Sequence, residues 1–193
     1  MQSVKYNEHT IIIKNSRFIC YTYKVDTIDE INNILKEKRD KYYDATHVCY
    51  AYILDNTKKE SDDGEPSGTA GIPMLQVLEK NNLNHVLCIV VRYFGKIKLG
   101  AGGLVRAYTK SVTETLKDNI ITLEEGFKIL ITFNYDNLKT IDYLLKNSLI
   151  INKYFNDKIT YEVDVNNNLL NELKLLSNID IKVLSNIYIA PII

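Results

Sequence analysis

Four cations and four glycines share one short stretch of this 193-residue chain. Residues 91–108 read VRYFGKIKLGAGGLVRAY, with Arg92, Lys96, Lys98 and Arg106 set around Gly95, Gly100, Gly102 and Gly103. A strand that passes through a glycine turn into a helix presents free backbone N–H groups and a helix N-terminus, an arrangement that holds anions. Glycine lets a ligand approach without an intervening Cβ and takes positive φ without strain. Arg92, Lys96, Lys98, Gly100, Gly102, Gly103 and Arg106 are therefore the candidate anion- or nucleic-acid-binding residues. The named phosphate fingerprints do not fit. Gly95 and Gly100 have P-loop spacing, but Ala101 and Gly102 stand where Lys and Ser or Thr are required. A dinucleotide motif opening at Gly100 and Gly102 needs glycine at Val105. The plainer alternative, that the glycines turn the chain and the lysines are solvated, stands equally beside the anion site.

A second constellation is SDDGEPSGTAG at 61–71, where Asp62, Asp63 and Glu65 crowd a loop ahead of a helix. Three carboxylates suit a hard cation, yet an EF-hand with Gly64 in sixth place would begin at Lys59 and end at Ala70. Ser67 has Glu65 two places before it, so there is no GxSxG elbow. Stabilising a helix start accounts for these acids better, and pairing with Arg92 or Arg106 across the domain is a further expectation. Asp62, Asp63, Glu65 and Thr69 make up a possible second surface. His47 and Cys49 share a strand face but lack the H-x-E and P-C-x-x-C of a zinc deaminase, so core packing is expected for both. Tyr93 and Phe94 point to opposite faces at a strand end, leaving one of them free to stack a base or to cover the sheet. No catalytic residue, metal site or cofactor is assigned.

The elements that position these groups follow from hydrophobic period. Thr10–Ile13 and Arg17–Val25 read as strands joined at Lys14-Asn15-Ser16. Thr27 and Glu30 have capping-box spacing, with a helix behind them to about Tyr42. His47–Leu54 reads as a strand, and 55–68 as irregular polar loop. Thr69–Glu79 is helical with Pro73 in its first turn. His85–Phe94 is nearly all apolar, the mark of a strand covered on both faces. A helix then runs through Leu104, Tyr108, Val112 and Leu116. The second half reads strand (Ile121–Phe133), helix from Asp136, strands Leu149–Phe155 and Ile159–Val165, helix from Asn168, and strand Ile181–Ile189. That βαββαβ order is ferredoxin-like. The expected architecture is α+β, with domains at 1–119 and 120–193.

Composition sets limits. The chain is 46% hydrophobic and 25% charged with zero formal charge, ordinary for a globular protein. Residues 1–118 hold 17 Lys and Arg against 15 Asp and Glu, so a polyanion site has to be local. Cys20, Cys49 and Cys88 lie singly in apolar runs, as reduced buried thiols do. A polar N-terminus without signal-peptide character and the lack of a long apolar run give the expectation of a cytoplasmic protein with no membrane contact.

The strings ATHVCYAYILD (45–55), SDDGEPSGTAGIPMLQVL (61–78) and VVRYFGKIKLGAGGLVRAY (90–108), with SRFIC at 16–20, resemble the YigZ/IMPACT family. The resemblance covers most of residues 1–118. It implies an N-terminal domain similar to domain IV of elongation factor G and to GHMP kinases, with β-α-β units on a mixed sheet. The second half resembles the elongation factor G-like C-terminal domain of bacterial members. It implies a role in translation regulation, with RNA or the ribosome as candidate partner and a protein partner in translation control as another. Eukaryotic members restrain a translation kinase with help from an extra N-terminal domain, so that mechanism is not expected to transfer whole. Lys96 stands where the family usually has a second glycine, and Ile72 where it commonly has a basic residue. The expected function is a translation-associated RNA- or ribosome-binding protein using the basic glycine-rich surface. The alternative is a small-molecule enzyme or phosphate- or nucleotide-binding protein using the acidic loop 61–65 and the glycine turn 95–103.

Overall fold

Strand β6 (Val86–Tyr93) has every residue from Val86 to Arg92 buried, and the first half of the chain is built around it. Alternation sends Leu87, Ile89 and Val91 to one face and Val86, Cys88 and Val90 to the other. The computed structural model describes residues 1–191 and divides the chain into two units, Met1–Ile121 and Thr122 onward.

In the first unit, β2 (Asn7–Ile13), β3 (Ser16–Lys24), β4 (His47–Leu54) and β5 (Thr57–Ser61) join β6 in the order β2-β3-β6-β4-β5. Helix α1 (Ile28–Lys41), capped by the Thr27 hydroxyl accepting from Glu30 N, lays Ile31 and Leu35 against Tyr21, Ile89 and Val91. Helices α2 (Gly71–Lys80) and α3 (Ala101–Leu116) cover the opposite face, where Met74, Leu78, Tyr108 and Val112 meet Phe18, Cys20 and Val90. The short β1 (Gln2–Val4) pairs with β7 (Ile120–Thr122).

Two expectations change. The sheet is not mixed: each adjacent pair in it is antiparallel. The reason is that β6 inserts between β3 and β4, so the crossover through α1 joins strands that run the same way without touching. Residues 55–68 are not wholly irregular either, since Thr57–Ser61 pairs along β4 as an edge strand. Its Lys58, Lys59 and Glu60 hid it from a hydrophobic-period reading, and such charges are what keep an exposed edge from pairing with other chains.

The second unit is ferredoxin-like. It runs β8 (Glu124–Phe133), a 3-10 turn into α4 (Leu138–Leu144), β9 (Leu149–Phe155), β10 (Ile159–Asn166), α5 (Asn167–Lys174) and β11 (Ile179–Ile189), with sheet order β11-β8-β10-β9. All pairings are antiparallel. Ile129, Ile131, Tyr161 and Val163 bury against Ile141, Leu170 and Leu173. Helix α5 is capped by Asn166, not Asn168, through Oδ1 accepting from Leu169 N at 2.9 Å. Among the described residues no helix is long and apolar enough to cross a membrane.

Candidate functional site

Arg92 lies in register with His47 on one side and Phe18 on the other, on the β6 face that carries α2 and α3. A guanidinium in that apolar layer needs a counter-charge. Glu65 supplies it: Arg92 Nη1 donates to Glu65 Oε1 at 2.5 Å, with the two side chains 6% and 2% exposed. The Tyr108 hydroxyl, from α3, donates to the same oxygen at 2.8 Å. Burial and the Cys49 thiol and Glu65 beside it push the Tyr108 hydroxyl far above its ordinary range, so it stays a donor. The Cys49 thiol lies 3.0 Å from the Asp62 carbonyl oxygen and 3.3 Å from the Tyr108 hydroxyl, and burial pushes it up as well. It is a core thiol, not a nucleophile.

His47 stands at the edge of this cluster. Its Nδ1 is 2.8 Å from the Asp63 carbonyl oxygen. A carbonyl only accepts, so Nδ1 carries the proton, and Nε2 is directed toward Glu65 Oε2 at 3.7 Å. Beside these groups is a cavity of about 340 Å³ walled by Thr46, His47, Glu65, Pro66, Arg92, Phe94, Lys98, Leu99, Gly100, Ala101 and Leu104. Phe94 is 45% exposed, and its ring centre is 5.6 Å from the Arg92 guanidinium carbon. Arg92 Nε is buried with no hydrogen-bond partner.

The loop that runs from β6 to the cavity wall is fixed by close backbone approach. A Cβ on Gly95 would fall 2.0 Å from the Asn15 carbonyl carbon, and Gly95 N donates to Ser16 Oγ at 3.1 Å. Phe94 N donates to Thr46 Oγ1 at 3.0 Å. Lys96 then takes φ +68°, a left-handed conformation that costs an ordinary residue energy. Glycine would take this conformation without that cost. Gly100 has φ +70° and opens α3 with no side chain capping it, which leaves the first N–H groups of α3 available at the cavity wall.

The structure thus sorts the sequence candidates. Arg92, Lys98 and Gly100 share the cavity wall with Glu65. Lys96, Gly102, Gly103 and Arg106 are not part of that wall. Lys96 and Arg106 are exposed, and Arg106 Nη1 folds back to within 3.6 Å of where a Gly102 Cβ would sit. Four exposed cations are therefore not gathered in one place, because Arg92 is buried and ion-paired.

The acidic loop also differs from the expectation of one outer surface. Glu65 and Thr69 are buried, the latter donating its hydroxyl to the Pro66 carbonyl oxygen, so they do not form an outer surface with Asp62 and Asp63. Asp62 accepts from Gly68 N, Ala70 N and Gly71 N. Burial pushes its carboxyl up, but these three backbone donors outweigh that and hold it below the ordinary value. Asp63 accepts from Val48 N at 2.7 Å. Asp62 is thus held by backbone donors at the start of α2, Asp63 by β4 and Glu65 by Arg92 and Tyr108.

Two participants are not visible in the sequence, His47 as a cavity wall and Tyr108 as a donor, while the pairing of the loop acids with Arg92 is realised at Glu65. The available signal was period two. It places Arg92 on the face of Cys88 and Val90, inside a layer where a lone charge is too costly.

Comparison with known proteins converges on one family. The Impact N-terminal domain matches residues 14–116. IMPACT family member YvyE of Bacillus subtilis is 42% identical over 164 residues, which is 82% of this chain and 76% of that protein. IMPACT family member YigZ of Escherichia coli is 40% identical over 110 residues, 54% of each. A crystal structure of a hypothetical protein superposes with a TM-score of 0.60 at 28% identity, covering 95% of this chain and 97% of that one.

Proposed function

Because the chain belongs to the IMPACT family, we propose that it is a translation-associated regulator that engages RNA or the ribosome through the glycine-rich loop and the start of α3. One observation carries this reading: the Gly100 N-cap of α3 has no side-chain hydrogen bond, beside a cavity lined by Lys98 and by Arg92, whose buried Nε has no hydrogen-bond partner. Backbone N–H groups and a helix dipole at such an end favour phosphate oxygens. Lys96, Lys98 and Arg106 are the exposed cations that add charge, and Arg92 acts from beneath as a fixed donor. The neutral formal charge of the chain makes this a local contact rather than a general affinity for polyanions.

The test is a titration of a short single-stranded RNA across ionic strength. With three cations on phosphates, log affinity falls against log salt with a slope of about 2. Replacing Lys96, Lys98 and Arg106 together by alanine flattens that dependence and weakens binding. Binding that ignores salt, or that the triple variant leaves intact, rejects the reading.

A further inference from the structure

We propose that the cavity beside Arg92 is a pocket for a phosphomonoester, the 5′-phosphate end of an RNA strand, with the terminal base against Phe94. This rests on the RNA reading above and narrows it to one chemical group at one place. Arg92 carries an unsatisfied buried donor. Its side chain is 6% exposed and already holds Glu65, yet Nε has no partner while the residue lines the cavity. Buried donors in folded proteins are satisfied, and an exception calls for an explanation. The available explanation is an acceptor that enters the cavity.

Charge decides what kind of acceptor. The Arg92 and Glu65 charges cancel, and Tyr108 donates to Glu65 as well. What remains around the cavity is Lys98 and the positive end of the 16-residue α3. The net field therefore favours an anion. A phosphomonoester carries about −1.5 to −2 charge at pH 7 and three free oxygens. It can accept from Lys98 and the first amides of α3 at the wall, and from the buried Arg92 Nε after a small shift of that side chain toward the cavity. A phosphodiester within a strand carries a single charge and an ester on each side, so it cannot enter end-on. The remaining wall is largely apolar. Pro66, Phe94, Leu99 and Leu104 suit the nucleoside rather than a second charge, and stacking on an aromatic tolerates any base.

The phosphomonoester could come from an RNA end or from a free nucleoside monophosphate, and the experiment separates them. The full chain is titrated with a decaribonucleotide carrying a 5′-phosphate, with the same strand carrying a 5′-hydroxyl, and with AMP and UMP. The expected result is about tenfold or greater preference for the phosphorylated strand. Lys98→Ala and Phe94→Ala, both at exposed positions, reduce that preference toward unity. Arg92→Lys keeps a cation facing Glu65 but removes Nε, and is expected to do the same. If that variant does not fold, the two exposed variants decide alone. Equal, salt-dependent binding of both strands overturns the pocket and leaves the surface reading standing. Binding of AMP or UMP that is lost in Lys98→Ala, with neither strand bound, keeps the phosphomonoester pocket and overturns the RNA reading. No binding of any probe overturns both.

Discussion

The five-stranded sheet has a histidine facing carboxylates at each end, and the two ends are built in opposite ways. At one end His85, which precedes β6, sets Nδ1 3.1 Å from Asp26 Oδ1 and Nε2 2.9 Å from Asp55 Oδ1. Its hydrogen bond with Asp26 is the main cause that raises its pKa, and Asp55 adds to it. Both ring nitrogens are occupied, and the carboxylates lie on turns, Asp55 with its side chain 69% exposed. At the other end His47 has one nitrogen on a carbonyl oxygen, and the facing carboxylate of Glu65 is buried and already neutralised by Arg92. The first end closes a turn with its own charges. The second leaves an open cavity beside a donor with nothing to bind. A histidine–carboxylate contact is therefore no guide to function until the remaining valences are counted.

The comparison breaks most sharply at Arg92. Arg92→Ala strands the Glu65 charge and is expected to cost about 4 kcal/mol in urea unfolding. Arg92→Met combined with Glu65→Met should recover most of that loss. Failure to recover would mean that the pair has a structural role beyond its own charges. Next comes the loop beside the cavity. Gly95→Ala would press a Cβ into the Asn15 backbone and should cost about 3 kcal/mol. Asp62→Ala removes the acceptor for three amides and should cost about 2 kcal/mol, with no comparable loss from Asp55→Ala on its exposed turn.

The His85 end is sharpened by pH. Its folded pKa lies above the unfolded value, so its contribution is fully present below about pH 6.5 and fades as pH rises through the folded pKa. Asp26 works from the acid side. Burial pushes its carboxyl up, but hydrogen bonds from His85 and Lys24 prevail and hold it below the ordinary value. That contribution is present above about pH 4 and is lost as pH falls through the lower folded pKa. His85→Ala should lose about 1 kcal/mol relative to the parent at pH 6, with the gap narrowing above pH 8 in thermal unfolding. The smallest effect expected is a gain. Lys96→Gly relieves the φ of +68° and should stabilise by about 0.5 kcal/mol, while weakening any RNA contact made by the lysine.

Much of this was legible in residue order. The nearly unbroken apolar run across 85–94 marks the doubly covered central strand, and the β-branched and aromatic residues of His47–Leu54 mark β4. Thr27 and Glu30 announce α1, and the second-half order βαββαβ leads to a ferredoxin-like sheet. The glycine run followed by Leu104, Tyr108 and Val112 announces α3. Charge on Lys58, Lys59 and Glu60 concealed β5, because a one-sided edge strand has no apolar period to show.

The sequence by itself determined the α+β class, the family, and which residue types stand at the strand–loop–helix junction, because period and turn chemistry are local. It could not decide the partners of the charges. Whether Arg92 faces solvent or Glu65, whether Asp62 holds a ligand or the start of α2, and whether His47 packs or lines a cavity depend on groups 8 to 43 residues apart in the chain coming together. Tertiary structure decides those, because the energy of a buried charge depends on what surrounds it rather than on its neighbours in the chain.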